Sequence, residues 1–190
     1  MSFDQLSIDN AVLCVIDVQE NLLKSMKKKI FHEKLKQLEI LVKMFKVWDR
    51  PIIVTEQYPQ GLGPTDSRIK EWFASFEAIP KTSFSCWGNE AFKTKLSSEE
   101  KAWVILSGME THICVFQTAL DLKKQGLEVV VPADAVQSSS KYKWKWGLEQ
   151  MAREGIHVSN SETILFQCLR DSKHASFKEL SNLLKQANKD

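Results

Sequence analysis

Ala11-Val-Leu-Cys-Val-Ile16 is an unbroken apolar run that stops at a charge, Asp17. Six residues with no polar alternation read as a strand buried on both faces, as in the middle of a parallel sheet. Downstream, Leu35, Leu38, Leu41, Val42 and Phe45 recur at helical spacing between Asn21 and Val47, so a long amphipathic helix returns the chain. Pro51-Ile-Ile-Val-Thr55 is then a second strand. A short helical stretch near Arg68 to Ser75 leads to a weak third strand at Glu77 to Ile79, where Pro80 biases its neighbour towards extended backbone. Ala102-Trp-Val-Ile-Leu106 is the fourth strand, breaking at Ser107-Gly108, and a short helix is expected before it at Asn89 to Lys95. The next helix runs from about Thr111 to Gln125 and ends at Gly126, and Leu127 to Val131 is the fifth strand. Ser138-Ser-Ser140 offers caps for a helix to about Glu154, and a strand near Glu162 to Phe166 with a helix from about Ser176 to Gln186 closes the series.

Strands alternating with helices specify an α/β fold with three layers, because right-handed crossovers put helices on both faces of the sheet. The expectation is a six-stranded, mainly parallel sheet in the Rossmann-like order 3-2-1-4-5-6, with residues 1–190 as a single domain. At 190 residues the chain can bury such a core without disulfides or structural metals. Lys and Arg number 26 against 24 Asp and Glu, a balance that selects neither nucleic acid nor membrane. The start, through Asn10, shows no basic n-region or apolar core, and no apolar run approaches the ~20 residues of a membrane span. Cys14, Cys86, Cys114 and Cys168 are scattered without a Cys-x-x-Cys pair, which speaks against a disulfide framework or zinc site and for a reducing, cytoplasmic setting.

Ligands of open parallel sheets bind beyond the carboxyl ends of the strands, near the point where strand order reverses. Asp17 ends the first strand, Lys81 follows the third, and Cys114 lies in the turn and first helical residues after the fourth, so all three face one end. The set suits nucleophilic acyl chemistry: a thiolate attacks, a carboxylate moves the proton, an ammonium steadies negative charge. A helix start beside Cys114 would lower its thiol pKa and supply backbone N–H groups to an oxyanion.

The segments Ile16-Asp-Val-Gln19, Pro80-Lys81 and Ser107-Gly-Met-Glu-Thr-His-Ile-Cys-Val115 resemble the three catalytic segments of the isochorismatase-like cysteine hydrolases, over about Ala11 to Phe166. The resemblance implies Cys114 as nucleophile, Asp17 as general base and then acid, and Lys81 as electrostatic partner. It also implies a cis peptide between Met109 and Glu110 that aims the N–H groups of Glu110 and Cys114 at one oxyanion, and a homo-oligomer of at least two chains. Nicotinamidases resemble this pattern but carry histidines for a divalent metal after the second strand. Here Thr55-Glu-Gln-Tyr-Pro-Gln60 stands in that place, and no histidine lies between His32 and His112, so no metal and no cofactor are expected. Siderophore-pathway isochorismatases lack the cysteine, so Cys114 argues against isochorismate as substrate.

The expectation is therefore a hydrolase of an amide-like or related acyl bond in a small molecule, acting through a cysteine thioester. An idle oligomeric scaffold or a redox-sensing thiol protein on the same fold are the alternatives. Gln19, Phe84 and Trp87 are candidate walls of the substrate pocket, with ordinary packing as the competing role for the two aromatic residues. Tyr58-Pro-Gln-Gly-Leu-Gly-Pro-Thr65, with two prolines and two glycines, reads as a shaped loop over the site. His112 is expected exposed and unpaired with Cys114, because residues i and i+2 do not face each other on a helix. Lys27-Lys28-Lys29 reads as a solvated helix face, and Trp144 and Trp146 as helix residues that pack against the sheet or another subunit.

Overall fold

In the computed structural model, which describes residues 2–187, the run Ala11–Ile16 is strand β1 and every one of its residues is buried. Its pleat divides the protein. Leu13 and Val15 join one apolar cluster, whereas Val12, Cys14 and Ile16 join another on the opposite face. Around β1 the sheet is built from β2 (Ile52–Gln57), β3 (Ile79–Lys81), β4 (Trp103–Met109), β5 (Glu128–Pro132), β6 (Val136–Gln137) and β7 (His157–Ser159). The order is β3-β2-β1-β4-β5-β7, all neighbours parallel, with β6 paired to β4.

The helices are α1 (Glu20–Leu23), α2 (Lys28–Val47), α3 (Pro59–Leu62), α4 (Ser67–Lys70), α5 (Glu90–Ser98), α6 (Phe116–Lys124), α7 (Lys141–Arg153), α8 (Ser161–Leu169) and α9 (Phe177–Ala187). Helix α2 lays Leu35, Leu38, Leu41, Val42 and Phe45 on the first face, where Ile164 and Leu165 of α8 and Leu180 and Leu184 of α9 meet them. Phe92 and Leu96 of α5, Ala119 and Leu122 of α6 and Leu148 and Met151 of α7 cover the second face. Each fully buried Leu, Ile or Phe contributes roughly 1.5–3 kcal/mol over leaving it in water, so the two faces together drive the fold. Among the described residues, no helix is long and apolar enough to cross a membrane.

Three expectations change. Glu162 to Phe166 is not a strand but part of α8: Asn160 accepts from Thr163 N at 2.8 Å and caps the helix, and the buried Ile164, Leu165, Cys168 and Leu169 follow helical spacing. Five apolar-rich residues cannot distinguish the two periods, and the sixth place in the sheet belongs instead to β7. The sheet also holds a seventh strand, the two-residue β6, too short to leave a pattern. The third strand sits two residues later than expected, so Lys81 is its last residue, in register with Gln57.

One glycine sets the spacing at the reversal point. Gly108 of β4 has φ +100°, and a Cβ built there would stand 2.1 Å from the carbonyl oxygen of Ile16, its partner in β1. Only glycine allows the ends of β1 and β4 to run this close. Gly108→Ala is expected to lower unfolding free energy by at least about 3 kcal/mol, through clash and positive φ together. An unfolding free energy from urea titration within about 0.3 kcal/mol of wild type would show that the contact is not needed.

Candidate active site

Asp17 leaves β1 in a left-handed conformation, φ +51°, which Asp tolerates better than most residues. Its backbone N–H is held by the Thr55 carbonyl at 3.1 Å, and the turn is closed by Gln19 N donating to Asp17 O at 2.9 Å. The side chain is thereby directed across the top of β2. Thr55 Oγ1 donates to Asp17 Oδ1 at 2.7 Å, and Lys81 Nζ donates to Asp17 Oδ2 at 2.6 Å.

Both ends of that ion pair have 0% side-chain exposure. Two charges out of water cost several kcal/mol each unless hydrogen bonds replace the lost hydration. Lys81 Nζ also donates to Gln57 Oε1 at 2.7 Å and to the Ser83 and Phe84 carbonyls at 3.2 Å each, so the ammonium is fully surrounded by acceptors. Gln57 is itself fixed, its Nε2 donating to Thr82 O at 2.7 Å.

Cys114 arrives from the other side. After β4 the chain makes a wide turn, Thr111–Val115, in which Val115 N reaches back five residues to Glu110 O at 3.3 Å. Single wide turns of this kind occur mostly at functional sites. The Met109–Glu110 peptide entering the turn is cis. Helix α7 presses on it from outside: a Cβ at Gly147 would lie 3.0 to 3.2 Å from the His112 backbone and Cβ. The Glu110 carboxylate accepts from Ser139 N at 2.7 Å, and His112 Nδ1 is 3.0 Å from Ser138 Oγ. His112 is thus half-buried and tied to the segment after β6, where an exposed ring was expected; burial lowers its pKa, with Glu110 opposing.

Cys114 is 6% exposed. Burial first, then the charge of Asp17, push the thiol pKa well above the ordinary range, with Lys81 opposing. The lowering expected from a helix start is outweighed, first by burial, which disfavours the thiolate, and then by the full charge of Asp17. A thiol buried beside a carboxylate therefore rests protonated.

Of the proposed pocket walls, Gln19 is fully buried and has no free polar atom: Nε2 donates to Gln57 O at 3.0 Å and Gly63 O at 2.7 Å, and Oε1 accepts from Gln57 N at 2.7 Å. It stitches the loop after β2 to β1 rather than offering itself to a ligand. Phe84 is 55% exposed beside the carbonyl that receives Lys81, and Trp87 is partly buried against the Cys114 face of the core. Thr55 and Gln57 were not singled out from the sequence. As polar residues at i and i+2 at the carboxyl end of a buried strand, they share one face, a pattern that marks them only once that face is known to meet Lys81. Cys86 carried no signal, yet its thiol lies 3.9 Å from Thr55 Oγ1 and is pushed up to about 11 by burial. Among the described residues, no three His, Cys, Asp or Glu side chains gather as a metal site would require.

A carboxylate, an ammonium and a thiol thus meet at the topological switch point of a doubly wound α/β sheet, the place where such sheets bind ligands. The chain belongs to the isochorismatase family, whose domain matches residues 11–163. Isochorismatase domain-containing protein 2 of Xenopus laevis is 35% identical over 182 residues, covering 95% of this chain and 86% of that protein. Isochorismatase domain-containing protein 1 of Salmo salar is 43% identical over 135 residues, covering 71% of this chain, which spans about half (47%) of the relative. Among solved structures, the MAR1 ribonuclease of Caenorhabditis elegans superposes with TM-score 0.88 at 34% identity, covering 97% of this chain and 94% of that one. YcaC of Escherichia coli, an octameric hydrolase of unknown specificity, shares the fold with TM-score 0.81 at 20% identity, covering 96% of each chain.

The electrostatics can be tested on Cys114 directly. Asp17→Asn removes the charge that disfavours the thiolate, so the pH midpoint of Cys114 alkylation is expected to fall; Lys81→Met removes the opposing charge and should raise it. Midpoints read by peptide mass spectrometry that stay put, or move the other way, would mean the three groups do not share one field.

Proposed function

We propose that this protein hydrolyses an amide-like or related acyl bond of a small molecule through a covalent thioester on Cys114. The single observation that carries the reading is the solvent-free Lys81–Asp17 pair, 2.6 Å long, whose charges both act on the buried Cys114 thiol. In the first half-reaction Sγ attacks the acyl carbon while its proton passes to Asp17. Negative charge develops on the acyl oxygen, for which the backbone N–H groups of Glu110 and Cys114 are the proposed donors. Asp17 then returns the proton to the leaving nitrogen as the C–N bond breaks. In the second half-reaction Asp17 takes a proton from water, hydroxide opens the thioester, and the thiol is regenerated with release of a carboxylic acid. Lys81 holds the Asp17 carboxylate in place through the 2.6 Å contact, and the buried setting strengthens each of these interactions. Phe84 and Trp87 are the proposed apolar walls beside the acyl group.

Likeness to the Caenorhabditis elegans MAR1 ribonuclease favours a second reading, cleavage of RNA. The geometry stands against it: a set as deeply buried as Asp17, Lys81 and Cys114 suits a small group better than a polymer backbone. We also propose a homo-oligomer, supported by the exposed Tyr142 and Trp146, whose rings stack 6.0 Å apart on the outer face of α7.

The test is intact-mass spectrometry across a panel of small amides and thioesters, with an RNA oligonucleotide as control. Wild type should accumulate an acyl adduct on Cys114, and Cys114→Ala should lose turnover by about 10³-fold or more. Turnover that survives in Cys114→Ala, or RNA cleavage that depends on Cys114, would replace the proposal.

A further inference from the structure

Lys81 is the cation that acts on the Cys114 thiol, and its donors are already spent. Four oxygens compete for the N–H groups of its ammonium: Asp17 Oδ2 at 2.6 Å, Gln57 Oε1 at 2.7 Å, and the Ser83 and Phe84 carbonyls at 3.2 Å each. Its side chain has no exposure. The acceptors are themselves fixed. Gln57 N donates to Gln19 Oε1 and Gln57 Nε2 to Thr82 O, each at 2.7 Å, and Ser83 Oγ donates to Ser85 O at 2.8 Å. A Cβ at Gly88 would lie 2.7 Å from Ser83 Cβ, so the turn at Gly88 packs directly on the segment that supplies the two carbonyls. A substrate carboxylate could reach this ammonium only by displacing Asp17 or the neutral acceptors packed around it.

The neighbouring titratable groups offer no replacement. Glu110 is an acid, its carboxylate accepting from Ser139 N. His112 is held with Nδ1 3.0 Å from Ser138 Oγ, and burial makes its charged form harder to reach. Lys143, exposed at the start of α7, donates to Ser139 Oγ at 3.0 Å. Cys86 is a buried thiol whose pKa is raised to about 11 by burial, so it carries no charge near neutral pH. The Cys114 thiol thus faces a full negative charge and a full positive one, bound together as a pair of zero net charge, with Asp17 acting on it the more strongly. The packing beside it is apolar: Trp87, Ile113 and Phe116 lie against the same core face as Cys114. An anion placed there would be stripped of water and opposed by Asp17, with no free cation to compensate it. An uncharged group avoids that penalty.

We propose that this site takes acyl groups without a charge beside the scissile bond, so that neutral aliphatic or aromatic amides are its substrate class and acyl groups bearing a carboxylate or phosphate are rejected. The proposal deepens the thioester reading and rests on it. Rejection works by leaving the wrong ligand's charge unpaired, not by shape.

Iodoacetamide and iodoacetate test charge alone, since both form the same Sγ–carbon bond with loss of iodide and differ only in an amide against a carboxylate of similar size. Rates at Cys114 would be read by peptide mass spectrometry on the full chain in mildly alkaline buffer, each taken relative to mercaptoethanol, a thiol with no protein around it. The neutral reagent is expected to be favoured at Cys114 by at least about tenfold more than at the free thiol. Asp17→Asn leaves Lys81 without its counter-charge, so that preference should fall by about tenfold or more. A wild-type preference below about tenfold, or one that Asp17→Asn does not lower, would overturn the inference while leaving hydrolysis through Cys114 standing. Cys114 unlabelled by both reagents would remove the accessible nucleophile and both readings with it. If Asp17→Asn fails to fold, the wild-type comparison decides alone.

Discussion

A carboxylate and an ammonium with no contact to water can coexist only if their remaining hydrogen-bonding capacity is met by the protein, and the upper edge of this sheet is organised around that requirement. Asp17 receives Thr55 on one oxygen and Lys81 on the other, while Lys81 finds Gln57 and two backbone carbonyls. Those partners come from β1, β2 and the segment after β3. Satisfying the pair therefore fixes three strand ends relative to one another. Removing either charge would leave the other buried and unpaired, at a cost of about 3–5 kcal/mol. The pair is better understood as a constraint on geometry than as a source of stability.

The constraint reaches the thiol through the backbone. Gly108 lets β4 run against the Ile16 carbonyl, so the segment leaving β4 begins beside Asp17. The wide turn at Thr111–Val115 then brings Cys114 back over the strand end, and Gly147 lets α7 close on its outer side. Two glycines with different neighbours thus serve one purpose: each permits an approach that a side chain would block. The resulting thiol is protonated at rest because it is buried beside a negative charge, which makes Asp17 both the obstacle to a free thiolate and the group able to accept its proton.

The sheet could be read from the sequence because strands buried on both faces leave continuous apolar runs, and Ala11–Ile16 and Ala102–Leu106 are of that kind. The places of Asp17 and Cys114 followed from where those runs stop, whereas Lys81 was placed after a weaker strand marked by Pro80, of which it is the last residue. What could not be read is short or depends on partners distant in sequence. β6 is two residues long, and the segment from Glu162 to Phe166 is apolar enough for strand or helix until Asn160 is seen to cap it. Thr55 and Gln57 become legible only once β2 is known to end beside Lys81, because polarity at i and i+2 has no meaning until the face is known. Gln19 shows the converse: a polar residue two positions from Asp17 invites a ligand-contact reading, yet its amide is consumed in holding the loop after β2.

The same reasoning separates Gln19 from Gln137. Both are buried glutamines near the carboxyl ends of strands, and sequence offers no reason to treat them differently. Gln19 makes three hydrogen bonds to backbone groups, so its burial is explained by the fold alone. Gln137 Oε1 has none among the described residues, in a two-residue strand paired with the end of β4. The segment that follows it donates Ser139 N to the Glu110 carboxylate and sets Ser138 Oγ against His112 Nδ1, so β6 and the Cys114 turn are held together through backbone and side chain alike.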